Sequence, residues 1–296
     1  MNFIKIIIAL LLLGSLQFFV GCKKSKPNPF SSEYTNMVRE NALIEAAFDD
    51  VLKVSENIML NNNDARIATT GAPLGCITAI DSVVTGVNQK RYTATFNAGC
   101  TSYDGKIRKG TIIFELTGAN FNAIGSQLIV TFQDYSFDSN RVYGKMIVNK
   151  ISTSVFNVQV SDVSGGGYAS LSIYNSADNT RLTTQWKSVY KREIIIGSLT
   201  PTILIDNVYN ITTPDASYSM VGITSDSKIY TASVSKALQI KYSCRAIGML
   251  RYPVSGQVDF VEEYNNNRSL DYGDSTVCDK TVTILYDGTS ESYNIY

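Results

Sequence analysis

The chain has 296 residues with 26 basic and 26 acidic side chains, so its formal net charge is zero and its pI is near 6.3. Such a balance creates no field to draw nucleic acid or a strongly acidic polymer, and neither is expected as a partner. Histidine is absent, which excludes Ser-His-Asp and Cys-His catalysis and the imidazole-bearing zinc and iron sites, leaving carboxylate, tyrosine or lysine chemistry and oxygen-ligated calcium.

The chain opens Met1-Asn2-Phe3-Ile4-Lys5 and continues with an apolar stretch, Ile6 to Val20, broken only by Gly14, Ser15 and Gln17. That is the n-region and h-region of a secretory signal, shorter than the roughly 20 residues of a spanning helix. Gly21 directly before Cys22 is the pattern that lipoprotein processing reads, so residues 1–21 are expected to be a signal peptide and Cys22 the acylated N-terminus held in a bilayer. Phe19 departs from the leucine usual at that place. Lys23-Lys24-Ser25-Lys26-Pro27-Asn28-Pro29 then reads as a polar, proline-broken tether over 22–30.

From Ser31 to about Leu60 there is no Gly or Pro, and apolar residues recur at Tyr34, Val38, Ile44, Ala47, Phe48, Val51, Leu52, Ile58 and Met59. This spacing predicts an amphipathic helix within 31–64, capped by Ser31 or Ser32, ended by Asn61 to Asp64, and packed through one face on a sheet.

Beyond Gly75 the period becomes two. Ile112, Phe114 and Leu116 share one parity; so do Leu128, Val130 and Phe132; Phe156, Val158 and Val160; Leu182, Trp186 and Tyr190; Leu238, Ile240 and Tyr242; and Val282, Ile284 and Tyr286. These predict half-buried antiparallel strands, with hairpin chemistry at Asp104-Gly105, Gly165-Gly166-Gly167 and Asp287-Gly288. No alternation of helices with strands appears, which argues against a Rossmann or α/β-barrel enzyme. The fold expected is mainly β, an antiparallel meander or sandwich with the N-terminal helix on it. Residues 65–296 would form one domain or two related modules near 65–175 and 176–296, because Thr95 to Gly105 is faintly echoed by Asp271 to Asp279.

With Cys22 lipidated, Cys76, Cys100, Cys244 and Cys278 remain, an even number suited to two disulfides in an oxidising compartment. Pairing within each half, Cys76 with Cys100 and Cys244 with Cys278, is the expected connectivity because each pair brackets one local segment. A four-thiolate zinc site would need Cys-x-x-Cys spacing that these cysteines lack.

Three segments resemble a family of uncharacterised lipoproteins of the Bacteroidota. They are Gly99 to Ile113, with its cysteine, Asp-Gly, basic pair and Gly; Trp186, Arg192 and Asp206 to Ile211; and the closing block Leu270 to Asp274, Cys278-Asp279 and Asp287-Gly288. Ser275 departs from that family's second Gly. The resemblance implies a lipoprotein of the outer envelope and carries no activity with it. Lysines rather than acids after Cys22 favour the periplasmic side of the outer membrane over the cell surface.

Asp271, Asp274 and Asp279 form the densest acidic loop and are candidate calcium ligands, although Asp and Gly are also ordinary turn residues. Glu262 and Glu263 are adjacent, so on a strand they point to opposite faces; a glycosidase would need a second acid such as Asp259 or Asp271. Eighteen tyrosines and the single Trp186 suit half-wet strands, or else stacking platforms for a glycan. Asp81-Ser82-Val83 and Asp274-Ser275-Thr276 resemble short O-glycosylation signals. The function expected is a membrane-anchored, non-enzymatic binding or assembly module without a cofactor, with a carboxylate-dependent glycan hydrolase and a glycan-binding module as alternatives.

Overall fold

The structure is a computed structural model that describes residues 32–60, 77–102, 105–175, 179–198, 206–215, 219–246, 253–262, 267–274, 278 and 281–294. One long helix, α1 (Ser32–Leu60), is followed by sixteen strands: β1 (Ile77–Gly86), β2 (Gln89–Thr101), β3 (Ile107–Thr117), β4 (Gln127–Phe137), β5 (Asn140–Tyr143), β6 (Lys145–Lys150), β7 (Val155–Ser161), β8 (Ala169–Asn175), β9 (Thr180–Ile196), β10 (Val208–Thr212), β11 (Ser219–Ile223), β12 (Ile229–Lys241), β13 (Ser255–Glu262), β14 (Arg268–Asp274), β15 (Thr281–Tyr286) and β16 (Thr289–Asn294). A five-residue helix, α2 (Tyr242–Ala246), follows β12.

All sixteen strands belong to one antiparallel sheet. Three pairs run on as single rungs. β5 and β6 both pair with β4, β7 and β8 both pair with β9, and β10 and β11 both lie between β9 and β12. Each rung then pairs with its successor in sequence, so the topology is an up-and-down meander, the simplest of the arrangements expected. The ladder between β8 and β9 crosses the region near residue 175.

Parity does the expected work. Ile112, Phe114 and Leu116, Leu128 and Val130, Phe156, Val158 and Val160, Leu238 and Ile240, and Val282 and Ile284 are buried on one face, while Glu115 and Gln239 point outward. Leu182 is on the parity of Trp186 and Tyr190 yet exposed, because it lies near the end of its rung, past the cover of the helix. Asp287 and Gly288 both take positive φ (45° and 75°) in a two-residue turn joining β15 to β16, the conformation that the right-handed twist of a hairpin favours.

The Gly165-Gly166-Gly167 segment differs from expectation. It makes no hairpin; it is an insertion between β7 and β8, which run on in one direction. Asp162 holds the loop, its Oδ1 accepting from Gly165 N (2.7 Å) and Gly167 N (3.0 Å) and its Oδ2 from the Ser164 hydroxyl (2.6 Å). Because the side chain closes the loop on itself, the strand resumes where it left off.

The larger difference concerns α1. It is not laid on the sheet by one face: from Met37 to Met59 every side chain except Arg39 is buried or half-buried, including Glu40, Asn41, Asp50, Lys53, Glu56 and Asn57. A helix buried all round needs cover all round, and the sheet supplies it by curling. Phe48 meets Phe132 of β4 and Trp186 of β9, while other α1 residues bond to β3, β9, β10 and β12. Curvature comes from local irregularities, since bulges and glycine kinks bend a twisted sheet. The register between β3 and β4 shifts at Gly110 (φ 88°), where an added Cβ would overlap the Asp134 carbonyl oxygen.

Gly110→Ala is therefore expected to cost more than about 1 kcal/mol, read as a lower urea midpoint at unchanged m-value. Cys244 and Cys278 are disulfide-bonded across 34 residues, as expected. Reduction should cost about 3 to 4 kcal/mol in the chain-entropy model, seen as a matching fall in chemical stability under dithiothreitol.

Candidate functional site

Each polar residue that α1 buries raises the question of its partner. Asp50 receives Arg108 of β3, with Nε at 2.9 Å from Oδ2 and Nη2 at 2.5 Å from Oδ1, and the Tyr135 hydroxyl of β4 lies 3.4 Å from the same carboxylate. Glu56 receives the Arg192 guanidinium from β9 through both carboxylate oxygens, together with the hydroxyls of Tyr209 and Tyr242. Arg192 also lies over the Tyr209 ring, 3.5 Å from its centroid, and donates to Tyr242 Oη at 2.9 Å. Burial and the Glu56 charge push both tyrosine hydroxyls above their ordinary range. Burial works against the Arg192 cation, but Glu56 more than restores it. At the helix's other end Glu40 accepts from Ser225, through the backbone N (2.7 Å) and the hydroxyl, and Asn41 accepts from Tyr230 Oη (3.0 Å).

Glu45 is different. It borders a pocket between α1 and the inner face of the sheet, lined also by Asp49, Trp186, Tyr190, Ile211, Met220 and Leu238, with a free volume of about 40 Å³. Ile211 is next to the last residue of β10 and Met220 next to the first of β11, so the pocket lies beside the junction of these two strands. Glu45 Oε1 is enclosed without a hydrogen-bond partner; so are Trp186 Nε1 and the Ser188 hydroxyl, two residues further along the same face of β9. Burial raises the Glu45 carboxyl from 4.5 to about 7, with Asn41 one turn earlier pulling weakly the other way. The facing groups from the sheet are Tyr190 and Tyr230, both of which burial and the Glu45 charge push up.

The residues singled out by sequence fall elsewhere. Asp259 and Glu262 lie on opposite faces of β13: hydrogen bonds from Ser269 and Gln257 hold Asp259 low despite part-burial, and Glu262 is buried 3.6 Å from Arg268. Asp271 shares the outer face with Asp259, accepts from Gly273 N at 2.8 Å and lies 3.8 Å from Lys236, so it is engaged in a turn and a surface ion pair. Asp271 and Asp274 border a surface hollow with Tyr272 and Thr281. Among the described residues no cluster of three acids or cysteines stands at metal-binding distances. Cys22, Cys76, Glu263 and Asp279 lie outside the described residues, as does the side chain of Cys100.

Trp186 is 2% exposed, and seven tyrosines (Tyr92, Tyr135, Tyr190, Tyr209, Tyr230, Tyr242 and Tyr272) are buried. Their rings build the interior rather than an outer stacking surface. Glu45, Glu56 and Ser188 were not singled out by sequence, and Arg108 entered only within the basic pair of the family resemblance. The available signal was the density of charged residues within an otherwise apolar helix, at Glu40, Glu45, Asp50, Lys53 and Glu56. Arg192 and Tyr209, which carry part of the family resemblance, turn out to be neighbours around Glu56. Among the described residues no helix is long and apolar enough to cross a membrane. Comparison with protein-family models, curated proteins and solved structures finds no match.

Two outcomes follow from these environments. Arg192→Met strands a buried carboxylate and should cost about 3 to 5 kcal/mol, measured by urea denaturation at pH 7. The folded state holds the Glu45 proton more tightly than the unfolded chain, so this group's favourable contribution is complete below about pH 4.5 and is lost as pH rises through about 7. Glu45→Gln should therefore flatten the stability profile across that window and stabilise the protein at pH 8 by up to about 3 kcal/mol.

Proposed function

We propose that this chain is a lipid-anchored protein of the outer envelope whose body binds rather than transforms its partner. Its anchor is the acylated Cys22, on the periplasmic side of the outer membrane. The anchoring half of the reading is supported by the basic start, the apolar run to Val20, Gly21-Cys22 and the lysine-rich tether. The binding half is carried by one observation: the acids that α1 buries at Asp50 and Glu56 are each engaged by an arginine that holds the helix in the sheet, which leaves them committed to the fold and not to turnover.

The buried charges support the same reading. Asp50, Glu56, Arg108 and Arg192 neutralise one another where they hold α1 inside the sheet, which commits them to the fold. A hydrolase of the glycosidase kind needs two carboxyls converging across a cleft at roughly 5 to 9.5 Å, and Asp259 and Glu262 face opposite sides of their strand. Stacking of a glycan on Trp186 would require opening the core, since that ring is packed against Phe48.

The direction of α1 is also defined. Glu40 meets Ser225 in the turn after β11, whereas Glu56 meets Tyr209 at the start of β10, so α1 lies along this rung with its N-terminal end at the β11–β12 turn. That end faces the bilayer in this proposal. Cys22→Ala should move the protein from the membrane pellet and detergent phase to the soluble fraction and abolish palmitate incorporation; retention of the variant on membranes would end the anchoring claim.

A further inference from the structure

We propose that an uncharged, aliphatic row along one end of the sheet, formed by the connections between β1 and β9, is the surface on which a second copy of this chain docks. The inference stands independently of the anchoring and binding readings above.

The connections of an up-and-down meander alternate between the two ends of its sheet. One end holds the tip of the β1–β2 hairpin (86–89), the β3–β4 loop (118–126), the β6–β7 turn (151–154) and the close of β9 (194–198). Backbone bonds join these segments in order: Gly118 N donates to Asn88 O at 2.8 Å, Gly125 N to Lys150 O at 2.9 Å, and Ile194 N to Ser154 O at 2.8 Å. None of the four contains Asp, Glu, Lys or Arg. Yet Val87, Ile124, Ile151, Ile195 and Ile196 along them are 93%, 63%, 51%, 42% and 57% exposed. Of the flanking charges, Glu193 is paired with Lys191 at 2.9 Å, Lys150 turns inward over the Phe156 ring, and Lys90 stands one residue back on the hairpin arm. The turns of the opposite end carry ion pairs, Lys106 with Asp138 (3.8 Å) and Lys228 with Asp226 (3.5 Å), and its exposed Ile107 and Ile229 stand among those charges.

A contiguous set of exposed aliphatic side chains marks an interaction surface, and this one is held ready. Phe121, in the middle of the longest loop, is buried and stacked on Phe156 with centroids 5.5 Å apart, and the Ser126 hydroxyl donates to Phe121 O at 3.0 Å. Little order is therefore lost on docking. The chemistry of the row selects the partner. A lipid surface is a poor match, because the four segments hold no Lys or Arg for headgroups and no Tyr or Trp for the interface. A charged partner finds nothing to pair with. A second copy suits the row, since an uncharged surface meets its equal without like-charge repulsion. Asn88, Asn122 and Thr153 each donate and accept, so they can bond to their own kind across a two-fold axis. A standard interface uses about 20 residues a side, and these segments supply about that number. The N-terminal end of α1 lies at the opposite end, beside Ser225, so the contact leaves the tether unobstructed.

The test is sedimentation velocity of the full Cys22→Ala chain from about 1 to 100 μM. The expected result is a monomer–dimer equilibrium that Ile124→Asp and Ile151→Asp each weaken by about a hundredfold or more, because each sets like charges into a dry contact. Both side chains are exposed in the monomer, so both variants should keep the melting temperature of the parent chain. Ile229→Asp, at the charged end, should leave the equilibrium unchanged. A chain that stays monomeric throughout, a dimer indifferent to both loop variants, or a dimer weakened equally by Ile229→Asp would overturn the inference. So would a monomeric chain that binds phosphatidylethanolamine–phosphatidylglycerol vesicles and loses them on Ile124→Asp, which would assign the row to a lipid surface.

Discussion

A carboxylate carried into a protein interior on a helix stays charged only where a cation or hydrogen-bond donors meet it, and the pairing of Glu56 with Arg192 is where this molecule meets that demand most completely. Both oxygens of the carboxylate are engaged, and the guanidinium is stacked on Tyr209 and bonded to Tyr242. Moving either charge into a low-dielectric interior alone costs several kcal/mol, so the pair forms together or the helix does not enter. Asp50 with Arg108 repeats the arrangement on a different side of α1, roughly 120° around the axis at 100° per residue. Two such pairs fix how far the helix is inserted and how it is rotated. Ion pairs inside a protein contribute specificity more dependably than stability, and here that specificity decides which side chains face which rung.

The rest of the structure follows from holding a helix of 29 residues, about 43 Å long, within one sheet. A flat meander could cover only one face of it. Positive-φ glycines and register shifts, such as the one at Gly110 opposite Asp134, bend the rungs until they reach the helix from several directions. Beside Glu45, between α1 and β9 to β12, a small gap remains, lined by Trp186, Tyr190, Ile211, Met220 and Leu238.

Much of the fold was legible in the chain because parity is a local property. The alternation of Ile112, Phe114 and Leu116, or of Phe156, Val158 and Val160, requires only that one face of a strand be dry, and the structure makes it dry. The two-residue turn at Asp287-Gly288 was legible for the same reason, as was the Cys244–Cys278 bridge, whose partners bracket one segment. The environment of α1 was not. Its apolar spacing describes an amphipathic helix on a surface, and the buried state of Glu40, Asp50 and Glu56 depends on Ser225, Arg108 and Arg192, between 58 and 185 residues away. No periodicity encodes such a pairing. The acids that stood out instead, Asp259, Glu262 and Asp271, did so by crowding in sequence; the pleat then turns Glu262 inward to Arg268 and leaves Asp259 and Asp271 on the outer face, each held by its own hydrogen bonds.

The central claim is that α1 is an internal element locked by its ion pairs and not a helix resting on a sheet. Native-state hydrogen exchange of the amides from Met37 to Met59 tests it most directly. If the sheet encloses and locks the helix, these amides exchange only through global unfolding, with the same free energy as the central residues of β3 and β9. Exchange of the α1 amides at a distinctly lower free energy, by a local opening that leaves β3 and β9 protected, would contradict the account.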